Sequence, residues 1–189
     1  MENQQIIGII GTGSGTGVTH FAIMTAGYYH GILGKRCALL EWNSHEDFSR
    51  LHRICSRREL DRSGAFRLLG TDYYGKAGTD ALLLCKRSGY HTVIVDYGTV
   101  SEGNLREFLR CDRQFVVGSV CEWQIGAFLE FAGDRKRGKK SWELFTVFGS
   151  EEARKNMEKN LGSPIWRIPV SVDALEITGQ LIQFYQQIL

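Results

Sequence analysis

The chain has 189 residues, is 43% hydrophobic and carries a formal net charge of +2, which suits one domain over 1–189 with its own buried core. No run approaches 18 apolar residues and the start, MENQQIIGII, has no basic leader segment, so a spanning helix and a signal peptide are excluded and a cytoplasmic protein is expected. Five scattered cysteines, Cys37, Cys55, Cys85, Cys111 and Cys121, form no CxxC pair, which argues for reduced thiols against a disulfide frame or zinc site.

In chain order, Gln5–Ile10 reads as a buried strand, Gly11–Gly17 as a loop and Val18–His30 as a largely apolar helix. A second strand is expected over Arg36–Leu40 and a helix over Asp47–Arg58. The segment Gly64–Gly78 is hard to assign, with FRLLG as a short strand before a turn-rich piece. Thr79–Ser88 reads as a helix, His91–Asp96 (HTVIVD) as an apolar β-branched strand, and Asn104–Arg110 as a helix. QFVVG, ELFTVFG and PIWRIP are expected strands, separated by helices over Glu122–Phe131 and Glu151–Asn160. Asp173–Leu189 closes the chain as a helix. Strands that are apolar on both faces and alternate with helices predict an α/β fold, a three-layer doubly wound, mostly parallel sheet.

The stretch after the first strand, GTGSGTGVTH, has four glycines in seven positions. Glycine lacks a Cβ, so consecutive N–H groups can turn inward as an anion nest, reinforced by the helix N-terminus that follows. In such sheets ligands bind beyond the carboxyl ends of the strands, where this loop lies. Gly11, Gly13, Ser14, Gly15, Thr16, Gly17, Val18, Thr19 and His20 are therefore the candidate phosphate-binding residues. The bland alternative is a tight strand-to-helix turn that binds nothing. The stretch does not match G-x-x-x-x-G-K-[ST], because valine stands at the lysine position. It does not match G-x-G-x-x-G either, because position 16 is threonine.

The opening segment resembles the MinD/ParA-type P-loop ATPases, whose loop reads K-G-G-x-G-K-T-T. The equivalent stretch here is Gly13-Ser14-Gly15-Thr16-Gly17-Val18-Thr19-His20. Both family lysines are missing, replaced by Gly13 and Val18. Further on, GKRCALLEWN is similar to the family's G-K-R-V-L-L-I-D-x-D, with Glu41 and Asn43 at the two aspartates. HTVIVDYGT looks like the strand ending in the Walker B aspartate, here Asp96, and PIWRIPVSVDALEITG resembles the late strand and IP-x-D turn. The resemblance implies a P-loop NTPase-like fold and a site for ATP or ADP with magnesium. It implies Thr19 and Asp96 as magnesium ligands, and Glu41 and Asp96 as catalytic residues if activity survives. Loss of both lysines implies a weak or inactive ATPase that regulates or scaffolds an unidentified protein partner. Arg36 lies early in the second strand and is no replacement for them.

Two other functions fit parts of the sequence. An NAD(P)-binding Rossmann oxidoreductase would use Gly11–Gly17, with Glu41 on the ribose. A basic module binding nucleic acid or another anionic surface would use two segments. Arg50–Arg67 holds six arginines against Glu59 and Asp61, and Arg135–Lys140 is wholly basic apart from Gly138. Strand order separates the first two readings. The ParA arrangement sets the Asp96 strand beside the first strand with Thr19 facing it, whereas the Rossmann arrangement brings Glu41 to the loop. The last helix carries glutamines and no lysine or arginine on its polar side. It is therefore read as docking on the core, not on a membrane surface.

Overall fold

A computed structural model describes residues 4–56, 64–134 and 142–189. Its strands are β1 (Gln5–Gly11), β2 (Cys37–Glu41), β3 (Ala65–Leu68), β4 (Thr71–Tyr74), β5 (Thr92–Thr99), β6 (Arg113–Gly118), β7 (Trp142–Thr146) and β8 (Ile165–Arg167). Its helices are α1 (Val18–Gly27), α2 (Asp47–Ser56), α3 (Thr79–Arg87), α4 (Glu102–Phe108), α5 (Ile125–Gly133), α6 (Glu151–Leu161) and α7 (Gly179–Ile188), with α1 running into a π-helical turn over Tyr28–Ile32. The strands form one sheet in the order β3-β4-β2-β5-β1-β6-β7-β8. Every pairing is parallel except β3 with β4.

The apolar runs divide between the two faces of the sheet as the twofold period of a strand requires. Ile7 and Ile9 of β1 join a core with Phe21 and Met24 of α1, Phe48 of α2 and Tyr185 of α7. Ile6 and Ile10 join a second core with Cys85 of α3, Phe108 of α4, Phe128 of α5 and Met157 of α6. Both faces are therefore covered, as a parallel sheet demands.

Local chemistry sets several boundaries. Ser101 and Asn104 form a reciprocal capping box at the start of α4. Ser150 caps α6, and Gly162 ends it in the left-handed conformation. The tight turn at Leu69 and Gly70, both with positive φ, reverses the chain from β3 into β4. The FRLLG strand expected between Gly64 and Gly78 is β3, and the turn-rich piece after it holds β4. The expected final helix is shorter: Thr178 caps α7, and residues 173–178 precede it as irregular chain. Leu181, Phe184, Tyr185 and Ile188 of α7 are buried, and the Tyr185 hydroxyl shares a 2.8 Å hydrogen bond with Thr25, so the helix docks on the core. No described helix is long and apolar enough to cross a membrane. All five cysteines are free.

The order of the strands sets the site. β5 lies between β1 and β2, and Ile9 is opposite Asp96 in the ladder. Asp96 is also the register partner of Glu41 on the other side. An extra residue in β5 breaks the β1–β5 register between Ile9 and Gly11, a bulge taken up by Gly98 at φ 62°. The bulge lies immediately past Asp96, at the carboxyl edge where the loop begins.

Candidate functional site

The glycine loop departs from β1 with Gly11 and enters α1 at Val18. Gly15 and Gly17 have φ of 73° and 92°, the left-handed region that side chains with a Cβ disfavour. Alternation of such residues with ordinary conformations is the backbone pattern that turns successive N–H groups toward one side as an anion nest. None of the N–H groups from Gly13 to His20 donates to a protein acceptor among the described residues. The N-cap of α1, Gly17, offers no side chain to satisfy them either. The loop is braced from behind: Thr16 Oγ1 donates to the Gly13 carbonyl at 3.1 Å, and the Gln124 side-chain amide donates to the Ser14 carbonyl at 3.0 Å.

This loop forms one wall of an open cavity of about 640 Å³. Gly13, Ser14, Gly15, Thr16, Gly17, Val18, Thr19 and His20 all line it, as the loop sequence suggests. Its other walls are Ser44, His45, Asp47 and Arg50 from the β2–α2 region, and Gly98 and Thr99 after the β5 bulge. Gly11, Glu41 and Asp96 do not line it. Gly11 is buried beneath the loop, where a Cβ would stand 2.6 Å from Thr16 Oγ1 and 2.7 Å from Val18 Cγ2. The Val18 side chain is 7% exposed and belongs to the core on the α1 face. At the position where the resembling loops carry a cation, this chain packs a hydrocarbon.

Asp96 is fully buried within β5, just before the bulge. Its Oδ1 accepts from Gly98 N–H at 2.8 Å, and its Oδ2 has no hydrogen-bond partner among the described residues. Burial pushes its pKa up, and the neighbouring Thr19 hydroxyl and the Gly98 amide counter part of that rise. Thr19 and Asp96 thus sit together, beside a carboxylate oxygen without a hydrogen-bond partner among the described residues. Glu41 is also fully buried, but it faces elsewhere. Its Oε1 accepts from the Asp47 and Phe48 amides at 2.6 and 3.4 Å, capping the start of α2. Its Oε2 is unpartnered among the described residues, and burial is the main reason its pKa is raised. Glu41 therefore anchors α2 and does not reach the loop, which removes the contact on which the Rossmann reading depends.

His20 is shared by this cavity and a second one of about 310 Å³, as is Gly17. The second cavity is an apolar cleft between Phe21, Met24, Val147, Phe148, Ile168, Pro169 and Val170. His20 Nε2 is buried without a partner among the described residues. Burial lowers the His20 pKa, opposed by Asp173 and a backbone hydrogen bond at Ser171.

These features together, a glycine-rich loop at the end of β1 with the Asp96 strand inserted between β1 and β2, describe a P-loop NTPase-like fold. Solved structures agree. A ParA family ATPase from Chlorobium tepidum superposes with a TM-score of 0.65 at 15% identity, covering 90% of this chain and 86% of that one. A plasmid partition protein from Borrelia burgdorferi bound to AMPPNP gives 0.65 at 13%, covering 98% and 97%. A chain of a MinC:MinD cell division protein complex from Aquifex aeolicus gives 0.61 at 15%, covering 97% and 85%. The chain has the ParA/MinD fold. No family model and no curated protein matches its sequence, in keeping with the low identity at which the ParA/MinD fold is retained.

Against that fold, the basic segments resolve unevenly. Arg135–Lys140 lies outside the described residues, as do residues 57–63 of the Arg50–Arg67 segment. Of the described arginines in that segment, Arg50 pairs with Asp47 at 2.9 Å and Arg67 approaches Asp72 at 3.8 Å. Arg36 is remote from the loop: it donates to the Ser88 carbonyl and lies over the Tyr90 ring. Arg50 and His45 are the residues that loop-based reasoning misses. Their signal is only that α2 begins just past the end of β2, which in a parallel sheet is the same edge as the glycine loop.

Proposed function

We propose that this chain is a degenerate ParA/MinD-like protein that binds a purine nucleotide weakly, hydrolyses it slowly or not at all, and acts as a regulator or scaffold for a partner system. The observation that carries this reading is the set of free amides from Gly13 to His20 beside a Val18 that is buried in the core. The cup needs only main-chain N–H groups and a helix N-terminus, so it survives the loss of side chains. The apolar cleft that meets it at Gly17 and His20 suits a flat base on the same ligand. Thr19 and the unpartnered Asp96 Oδ2 fit a magnesium ion, which when bound would neutralise phosphate charge.

Hydrolysis asks for more than the cup supplies. Phosphoryl transfer depends on positioning and on cancelling charge that builds in the transition state. Each missing lysine forfeits a charge-assisted bond worth roughly 1.5–3 kcal/mol. Glu41, occupied at the start of α2, is poorly placed to orient an attacking water. A role through partners is supported by the apolar rim on the same edge: Trp123, Phe148, Val170 and Val172 are 88%, 46%, 76% and 98% exposed. The Aquifex neighbour of this fold comes from a MinC:MinD cell division protein complex.

The test pairs binding with turnover. Thermal-shift titration with ATP, ADP, GTP and NAD(P), each with and without magnesium, should give a magnesium-dependent shift for a purine nucleotide. Phosphate release should not exceed that of a Thr19→Ala control. Brisk magnesium-dependent turnover above that control would overturn the inactive reading, and a shift with NAD(P) alone would restore the dinucleotide one.

A further inference from the structure

Among the described residues lining the loop cavity, Arg50 is the only lysine or arginine. It comes from the first turn of α2, on the wall formed by the β2–α2 connection. Its Nη1 lies 2.9 Å from Asp47 Oδ1, in a pair whose side chains are 66% and 35% exposed. The second Asp47 oxygen is 4.0 Å from His45 Nδ1. The Asp47 backbone is anchored, because its N–H donates to Glu41 Oε1 at 2.6 Å. The cavity thus presents amides on one side and a guanidinium paired with a carboxylate on another.

We infer that Arg50 is the cation that grips the outer phosphate of a bound nucleoside di- or triphosphate, with Asp47 holding it when no phosphate is present. The inference rests on the nucleotide reading above. An exposed i,i+3 ion pair is weakly held, whereas a guanidinium meets a phosphate through two parallel charge-assisted bonds. A polyphosphate seated on the loop amides brings several negative charges into a cavity that already contains Asp47 and lies beside Asp96. Moving Arg50 from Asp47 to the phosphate relieves that repulsion, at the expense of leaving Asp47 to solvent and His45. The cation that the loop lost at Gly13 and Val18 is supplied from α2, outside the motif. The arrangement selects for phosphate chain length: AMP, whose single phosphate sits in the amide cup, gains little from Arg50, and ADP or ATP gains more.

The experiment is calorimetric titration of the full chain with Mg-ATP, Mg-ADP, AMP and pyrophosphate, on wild type, Arg50→Ala, Arg50→Lys and Asp47→Asn. Arg50→Ala should weaken ATP and pyrophosphate about tenfold or more, the loss of one charge-assisted contact, and leave AMP unchanged. Arg50→Lys should recover part of the loss, and Asp47→Asn should tighten ATP by freeing the guanidinium. A general structural defect would instead weaken AMP as much as ATP, and that result overturns the inference. If wild type binds ATP and Arg50→Ala binds it equally well, the role of Arg50 falls while the nucleotide reading stands. If wild type binds none of the four ligands, both fall together.

Discussion

Val18 Cγ2 stands 2.7 Å from the point where a Cβ on Gly11 would be, so the residue at the cation position of the loop fills the space beneath it. The loop is supported from inside by a branched hydrocarbon that only a glycine at position 11 admits. Gly11→Ala should therefore push Val18 and Thr16 aside and destabilise the protein by about 1–3 kcal/mol, the usual cost of overpacking. Chemical denaturation measures this directly. An unchanged unfolding midpoint would mean that the loop yields without resistance.

Restoring the lysine tests the same packing from the other side. Val18→Lys removes apolar contacts from the α1 face and must lift an ammonium out into the cavity, its stem lying along the loop. A lower melting temperature without ligand is expected, with Mg-ATP bound about tenfold more tightly than by wild type. Thermal melts with and without nucleotide would separate the two effects.

Asp96 carries a pH signature. Burial raises its folded pKa above the unfolded value of about 3.9, so the native state holds a proton that the unfolded chain has released. Its contribution to stability is full below about pH 4 and is lost as pH rises through the raised folded pKa. At pH 7 Asp96→Asn should raise the melting temperature, by about 2–4 °C for each kcal/mol gained. The gain should shrink toward pH 4. Magnesium-dependent binding should disappear in the same variant. Equal melting temperatures at both pH values would show that Asp96 titrates normally.

His20 titrates with the opposite sign. Burial depresses its folded pKa, so below the unfolded value of about 6.5 the unfolded chain takes up a proton that the native state resists. Stability from this residue is present above about pH 6.5 and is lost as pH falls toward the depressed value. Urea midpoints at pH 7.5 and 5.5 should therefore separate more for wild type than for His20→Gln. Parallel profiles would remove His20 as the acid-sensitive group.

The layered α/β architecture is legible in the amino-acid order alone, because burial on both faces forces strands such as HTVIVD to be apolar throughout and places helices between them. The glycine loop is legible for the same local reason: positive φ at Gly15 and Gly17 and the missing Cβ at Gly11 are properties of single residues. Asp96 could be nominated from its place at the end of an apolar strand. The FRLLG strand is legible, but its partner β4 is not, because Leu69-Gly70 is not one of the usual turn pairs; α7 is shorter than its apolar spacing suggests because Thr178 caps it late. The sequence by itself thus determined the layers, the loop and the absence of a lysine from residues 11–20. Only the tertiary structure decided that β5 separates β1 from β2, that Glu41 turns to α2 and that Arg50 reaches the loop cavity. Those are relations between segments tens of residues apart, settled by lateral strand pairing and packing that no local pattern encodes.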